Sequence, residues 1–230
     1  MGLNIQLMMI LIFTHLMADY IFQTSQMAYN KTKSLKGVLT HELIVLLTST
    51  IILSIYGLNG FLMAGIISIS HFVIDYAKMK ANRLFKIEIV GYLIDQLLHL
   101  GVIVLCVYCF GSVANNPILK IKYIGVINYL LIITFIATVV VKVIMADIFR
   151  SSIHQPDFFM KNERVFDCLI VVVAAFSFIN VLVGIVISAA AAGAFFFAEI
   201  RYFRYSKCQT LIKAALYFIF ACLFRFLMHY

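Results

Sequence analysis

The chain alternates between long apolar runs and short polar connections. The apolar runs lie near residues 3–22, 37–56, 60–77, 88–110, 123–145, 168–198 and 209–228. A helix needs about 20 consecutive apolar residues to cross the hydrocarbon core of a bilayer. Each run is about long enough for one crossing. The pattern therefore predicts an all-α, polytopic membrane protein built from transmembrane helices.

The charges on the connections predict the number of spans. Run 168–198 fits either one tilted helix or two short ones that turn near residues 180–184. Connections 57–60 and 111–117 carry no basic residue, whereas four others are basic. These four clusters contain Lys31, Lys33 and Lys36; Lys78, Lys80, Arg83 and Lys86; Arg150, Lys161 and Arg164; and Arg201, Arg204 and Lys207. The positive-inside rule places all four in the cytoplasm, which requires two spans in 168–198. We therefore predict about eight spans, with both termini outside.

Composition agrees with this class and excludes others. Hydrophobic residues make up 64% of the chain and the mean hydropathy is +1.04, more apolar surface than a soluble 230-residue domain could bury. The net charge of +8 is then expected on loops that contact membrane lipids, and no basic tail suggests a nucleic-acid partner. The first apolar run lacks a basic leader and a clear cleavage site, so we expect a retained span.

A repeated polar motif interrupts the apolar pattern. HLMADY at 15–20 and HFVIDY at 71–76 share the form H-x-x-x-D-Y, and each follows an apolar run. A basic loop comes next, and then a histidine on the returning helix, His41 or His99. The first and last histidines are 26 residues apart in one unit and 28 in the other. The repeat predicts a duplicated N-terminal helical hairpin, a common way to build a site within a membrane.

Seven ionisable side chains are predicted to meet near the cytoplasmic ends of four spans. They are His15, Asp19, His41, His71, Asp75, Asp95 and His99. Residues four apart lie on one helix face, so three His–Asp pairs can each converge on one point. The simplest alternative is that these groups only pair with one another between packed helices. Each charge costs about 2.5–3.5 kcal/mol in a span, which favours a functional site. Lys31, in the first basic loop, is predicted to be solvated.

The residue types indicate the ligand. Imidazoles and carboxylates without thiolates suit zinc, manganese or iron. Seven groups exceed the needs of one tetrahedral ion, so either two ions share the pocket or some carboxylates act as bases. The predicted ligands are His15, Asp19, His41, His71, Asp75 and His99. Asp95 is the predicted catalytic base, because the first repeat has Gly37 at the corresponding position.

The same motifs resemble a known family. His15, Asp19 and Tyr20 with FQT at 22–24, then His41, HFVIDYAK at 71–78 and DQLLH at 95–99, resemble the membrane family of domain of unknown function 3307 (DUF3307). The resemblance covers roughly residues 5–110, and a more remote one is to YdjM-like membrane proteins described as metal-dependent hydrolases. It implies a multi-pass protein of the bacterial inner membrane, with no established reaction. We accordingly predict a four-span domain over 1–110 and a C-terminal membrane domain over 111–230.

Three function classes remain open. The first is a metal-dependent hydrolase that acts on a lipid-linked or membrane-proximal substrate. The second is a transporter that uses the His/Asp cluster as a cation or proton relay. The third is an accessory membrane protein without enzymatic activity. No H-E-x-x-H or G-x-S-x-G signature is present. The first four spans are almost purely apolar away from the cluster, which favours a one-sided site.

Overall fold

A computed structural model describes residues 4–81, 87–112, 124–125, 127–128, 131–149, 199–201 and 205–228, together with Asp167, Gly193, Phe195 and Phe197. Every element of this part of the chain is helical. The fold divides into two compact units, residues 1–129 with 154–156, and residues 130–153 with 157–230. The domain boundary predicted between residues 110 and 111 stays a prediction.

The helix bounds follow the apolar runs closely. The first unit contains α1 (Ile5–Leu16), α2 (Ser25–Lys31), α3 (Leu35–Leu53), α4 (Gly57–Ala81) and α5 (Glu88–Phe110). The second contains α6 (Ala137–Phe149) and α7 (Lys207–Met228). Run 168–198 lies outside the described residues except for three positions near its end. Whether it holds one span or two therefore stays a prediction.

Polar residues just before the helices explain where several of them begin. The side chains of Asn4, Thr24 and Ser34 accept hydrogen bonds from backbone N–H groups in the first turns of α1, α2 and α3. Such caps satisfy donors that have no partner within the helix. The end of α1 differs, because Met17–Ile21 forms a wider π-helical turn, closed by a bond from the Phe22 N–H to the Met17 carbonyl at 2.9 Å.

Two helical stretches in the described part of the chain are long and apolar enough to cross a membrane. These are Leu35–Ala81 and Glu88–Phe110, and the pair Ile5–Ile21 and Ser25–Lys31, bent by 97°, would be a third if it is one span. The first stretch turns back on itself after Leu53, where Gly57 has a φ of +59°. His41 and His71 would lie about 45 Å apart on a straight helix. Their rings are 5.2 Å apart, so α3 and α4 form a hairpin.

The first unit has an apolar core and an apolar exterior. The core is formed by inward-facing residues of four helices: Leu7, Ile10 and Leu11 of α1; Val45 and Leu53 of α3; Met63, Ala64 and Ile67 of α4; and Ile103, Cys106 and Val107 of α5. The outward faces also carry large apolar side chains, for example Leu43, Leu47, Leu62, Ile69, Leu97 and Leu105. Helices that are apolar on all sides are typical of membrane spans.

Gly37 allows the short helix α2 to pack directly on the start of α3. A Cβ atom at Gly37 would collide with the backbone of Asn30 and Lys31 at the end of α2. A Cβ atom at Gly65 on α4, in contrast, would have no atom within 4 Å other than those of neighbouring residues in its own helix. Because this close approach needs glycine, the first repeat cannot carry a side chain at position 37 in this packing. The approach also brings Lys31 against the polar cluster.

The second unit contains a buried ion cluster of its own. The Lys213 Nζ atom on α7 lies 2.8 Å from Glu199 Oε1 and 2.9 Å from Asp167 Oδ1. All three side chains are at most 1% exposed. Three aromatic rings also surround the ammonium group, with centroids 4.9–6.0 Å away: Phe195, Tyr205 and Tyr217. Removing one member of such a buried pair is strongly destabilising.

Candidate metal centre

The seven predicted side chains lie at the ends of their helices that adjoin the basic connections. His41 is near the start of α3, and Asp95 and His99 are early in α5. His71 and Asp75 are in the last turns of α4. His15 is in the last turn of α1 and is half-buried, while Asp19 lies in the wide turn that follows. The other six are at most 8% exposed. The structure thus gathers all seven at one end of the first unit.

The most compact group is built around Asp19. Its Oδ1 atom lies 3.1 Å from His71 Nε2 and 3.2 Å from His41 Nε2. Ligand atoms bound tetrahedrally at about 2.0–2.1 Å are themselves about 3.3 Å apart, so both separations match those between ligands of one ion. One potential ligand atom from each of the three residues lies within 4.8 Å of the other two, and all three residues are buried. Two imidazoles and one carboxylate from three chain segments could therefore hold a metal ion.

His41 supports this interpretation in a second way. Its side chain is fully buried, yet neither ring nitrogen makes a hydrogen bond of good geometry to any described residue. A buried polar atom without a partner costs roughly 1–3 kcal/mol. An imidazole that coordinates a cation uses its lone pair in place of a hydrogen bond. The Nε2 atom of His41, which lies beside Asp19 without a hydrogen bond of good geometry, therefore fits a metal ligand.

Two further groups of three residues also place their potential ligand atoms within 4.8 Å of one another, and neighbouring groups share a histidine. One is His15, His71 and His99, and the other is Asp75, Asp95 and His99. The rings of His71 and His99 are stacked, with centroids 4.3 Å apart. Because His71 belongs to two groups and His99 to two, the three groups cannot each hold an ion independently. Of these, only the first group (Asp19, His41 and His71; the Asp19 group) and the third (Asp75, Asp95 and His99; the Asp75 group) have no residue in common.

The three predicted i, i+4 pairs behave differently. His71 Nδ1 lies 3.8 Å from Asp75 Oδ2, and His99 Nε2 lies 3.6 Å from Asp95 Oδ1. His15 and Asp19 form no such close pair; in the part of the chain that the structure describes, the basic side chains within 4.0 Å of Asp19 are the imidazoles of His41 and His71. The wider turn at Met17–Ile21 explains this difference, because it changes the angular position of Asp19 relative to a regular helix. This wider turn could not be predicted from the apolar pattern or from the repeat.

Two lysines enter the cluster, and the predicted solvation of Lys31 is wrong. Its side chain is 12% exposed, and its Nζ atom lies 3.1 Å from Asp75 Oδ2. The Lys78 Nζ atom lies 2.7 Å from Asp95 Oδ2. Burial alone would lower the pKa of Lys31, which ends α2 outside the apolar runs, but the neighbouring carboxylates outweigh burial and raise it. Both lysines therefore form ion pairs with predicted site residues, Lys31 with Asp75 and Lys78 with Asp95.

Other polar neighbours complete the surroundings. Glu42, next to His41 in the chain, places Oε2 3.4 Å from His71 Nδ1. The hydroxyls of Tyr20 and Tyr92 are 2.6 Å apart, and the Tyr20 hydroxyl also donates to Gln96 Oε1 at 3.1 Å. Sequence reasoning missed Glu42, although it adjoins a predicted ligand. The contacts of Tyr20 could have been anticipated, because a tyrosine follows the aspartate in both copies of the repeated motif.

The charges within the cluster do not balance with neutral histidines. Four carboxylates (Asp19, Glu42, Asp75 and Asp95) face two ammonium groups (Lys31 and Lys78), a formal excess of two negative charges. Uncompensated charge is costly in a membrane interior. One divalent cation, or two protons on histidines, would restore neutrality. A divalent cation therefore fits both the geometry and the charge of the cluster.

These features define a helical protein of membrane type with a buried His/carboxylate cluster. A family model described as protein of unknown function (DUF3307) matches residues 7–127, more than half of the chain, and the chain belongs to this family. The match contains every residue of the cluster. No curated protein and no solved structure matches the chain. The resemblance to YdjM-like proteins is not supported by these comparisons.

Proposed function

We propose that this protein holds a divalent transition-metal ion in the membrane, with Asp19, His41 and His71 as the primary ligands. The observation that carries the proposal is the position of Asp19 Oδ1, within 3.2 Å of two imidazole nitrogens in a fully buried group. Two histidines and a carboxylate form a ligand set that zinc, manganese and iron accept with open coordination positions. The predicted ligands outside this group, His15, Asp75 and His99, surround it.

The proposed location is the cytoplasmic face of the bacterial inner membrane. The cluster lies at the helix ends next to Lys31, Lys33, Lys36, Lys78 and Lys80, and basic connections are retained in the cytoplasm. In this arrangement α1, α3, α4 and α5 are four of about eight spans. In this proposal they form a duplicated hairpin, α1 with α3 and α4 with α5, and His41 of the first repeat contacts His71 of the second.

The proposed reaction is hydrolysis of a lipid-linked or membrane-proximal substrate. When bound, such an ion supplies Lewis acidity and activates water near neutral pH. Asp95 is the proposed proton-transfer group, held in place by Lys78 and by Gln96, whose Nε2 donates to Asp95 Oδ2 at 3.2 Å. Beyond the cluster, the core of the first unit is apolar. This apolar core supports a one-sided reaction centre over a relay for transport.

Metal analysis tests the proposal. Protein purified in detergent is expected to contain about one zinc, manganese or iron ion per chain by elemental mass spectrometry. Chelation should lower the melting temperature, because the cluster then carries uncompensated negative charge, and returning the ion should restore it. A metal-free protein whose melting temperature is unchanged by prolonged chelation would contradict the proposal.

Two native cysteines test the topology. Cys109, near the end of α5, is expected outside, and Cys208, near the start of α7, is expected in the cytoplasm. A variant keeps these two and replaces Cys106, Cys168 and Cys222 by alanine. In intact cells, a membrane-impermeant maleimide should label Cys109, whereas Cys208 should react only after the membrane is opened. Labelling of Cys208 from outside would favour seven spans.

A further inference from the structure

The geometry points to a single-ion centre in which the ammonium groups of Lys31 and Lys78 take the place of a second metal ion. This inference rests on the proposed function and adds the number of ions and the residues that limit it. The two lysines come from different basic connections: Lys31 precedes α3, and Lys78 closely follows the second H-x-x-x-D-Y motif. Both side chains reach back toward the same cluster.

The lysines contact the carboxylates of one particular group. Of the three groups that could hold an ion, only Asp75, Asp95 and His99 contains two carboxylates. Lys31 Nζ lies 3.1 and 3.5 Å from the two oxygens of Asp75. Lys78 Nζ lies 2.7 Å from Asp95 Oδ2. Both carboxylates of the group are therefore already bound by an ammonium group.

The group around Asp19 is arranged differently. Among the described residues, the basic side chains within 4.0 Å of the Asp19 carboxylate are the imidazoles of His41 and His71, and no lysine nitrogen lies within that distance. Neutral imidazoles can coordinate a cation without first releasing a bound positive charge. A divalent ion is therefore expected to enter the Asp19 group and not the Asp75 group.

Charge balance limits the cluster to one ion. Two ammonium groups and one divalent ion neutralise the four carboxylates of the cluster. A second divalent ion would leave two excess positive charges among side chains that are mostly buried, which is unfavourable. Without the lysines, two divalent ions would balance the same carboxylates. Removal of both lysines should therefore open the Asp75 group to a second ion.

The decisive variant is Lys31→Met with Lys78→Met, because methionine keeps much of the length of lysine without the charge. The matched control is Lys33→Met with Lys80→Met. Those two lysines are exposed and lie over the rings of Tyr29 and Tyr76, away from the carboxylates. After saturation with zinc and removal of the free ion, elemental mass spectrometry should find one zinc per chain in the wild type and the control. The double variant should contain two.

The outcomes separate this inference from the proposed function. One zinc in both the wild type and the double variant would overturn the inference and leave the proposed function standing. Two in the wild type would also overturn it, because the lysines would then exclude nothing. No zinc in any protein would overturn both.

A second double variant, which keeps a hydrogen-bond donor at each position, tests the inference if the methionine variant does not fold. If the methionine variant does not fold, Lys31→Gln with Lys78→Gln should fold when zinc is supplied and gain more thermal stability from zinc than the wild type does. An equal gain, or failure to fold with zinc present, would count against the inference.

Discussion

The substitution His71→Ala is expected to lower the metal content of the purified protein to background, with an affinity loss of more than about 100-fold. Loss of a residue that only orients a ligand already costs about 10–100-fold, and His71 is a proposed ligand itself. Its Nε2 atom lies 3.1 Å from Asp19 Oδ1, and its ring stacks on His99 at 4.3 Å. Metal titration of the purified variant measures the effect.

His15→Ala is the matched control. The His15 ring lies 6.0 Å from that of His71 and does not belong to the Asp19 group. This variant should keep about one ion per chain, with an affinity loss below about 100-fold, as expected for a position outside the ligands. Equal loss of metal in both variants would contradict the assignment of Asp19, His41 and His71 as the primary ligands.

The substitution Asp95→Asn is expected to reduce turnover by about 10²–10⁴-fold while metal content and membrane expression stay near wild type. Removal of a general base has an effect of this size. Asparagine keeps the shape of aspartate and one acceptor oxygen, so packing should survive the loss of charge. The assay is complementation of a deletion strain, or turnover once a substrate is known, together with metal analysis of the same preparation.

The other two aspartates provide the comparison. Asp19→Asn should lose the ion, because it removes the carboxylate shared by two imidazoles. Asp75→Asn should keep the ion, because Asp75 is outside the Asp19 group and is bound by Lys31. If all three variants lose membrane expression to the same extent, the cluster serves to hold the helices together and the catalytic proposal fails.

Much of the first unit could be predicted from the sequence, because the apolar runs and the repeat carry strong signals. Predicted run 88–110 and helix Glu88–Phe110 have the same bounds. The seven polar side chains that the repeat singles out do lie together in the structure, whereas the duplicated hairpin itself stays a prediction. The ligand roles themselves stay predictions, as does the count of eight spans.

The position of Lys31 could not be predicted, because it depends on backbone packing. Gly37 lets α2 approach α3, and this approach turns a loop lysine toward Asp75. In the sequence, Gly37 is notable only because it occupies the position that corresponds to Asp95 in the second repeat. The structure adds a steric reason for that asymmetry, since a side chain at position 37 would displace the end of α2.

The ion cluster of the second unit was missed for a different reason. Asp167, Glu199 and Lys213 are widely separated single charges that belong to no repeat and no periodic pattern. Isolated charges near apolar runs are usually expected at a membrane surface. Only the three-dimensional packing shows that these three are buried together.

The most direct test of the central proposal is X-ray absorption spectroscopy of the zinc-loaded wild-type protein. Coordination by His41, His71 and Asp19 predicts two imidazole nitrogens at about 2.0–2.1 Å and carboxylate oxygen at about 2.0–2.2 Å, with the multiple-scattering signal of imidazole. The His71→Ala protein should lose this signal. A wild-type spectrum with oxygen or sulfur neighbours and no imidazole would contradict the proposed centre.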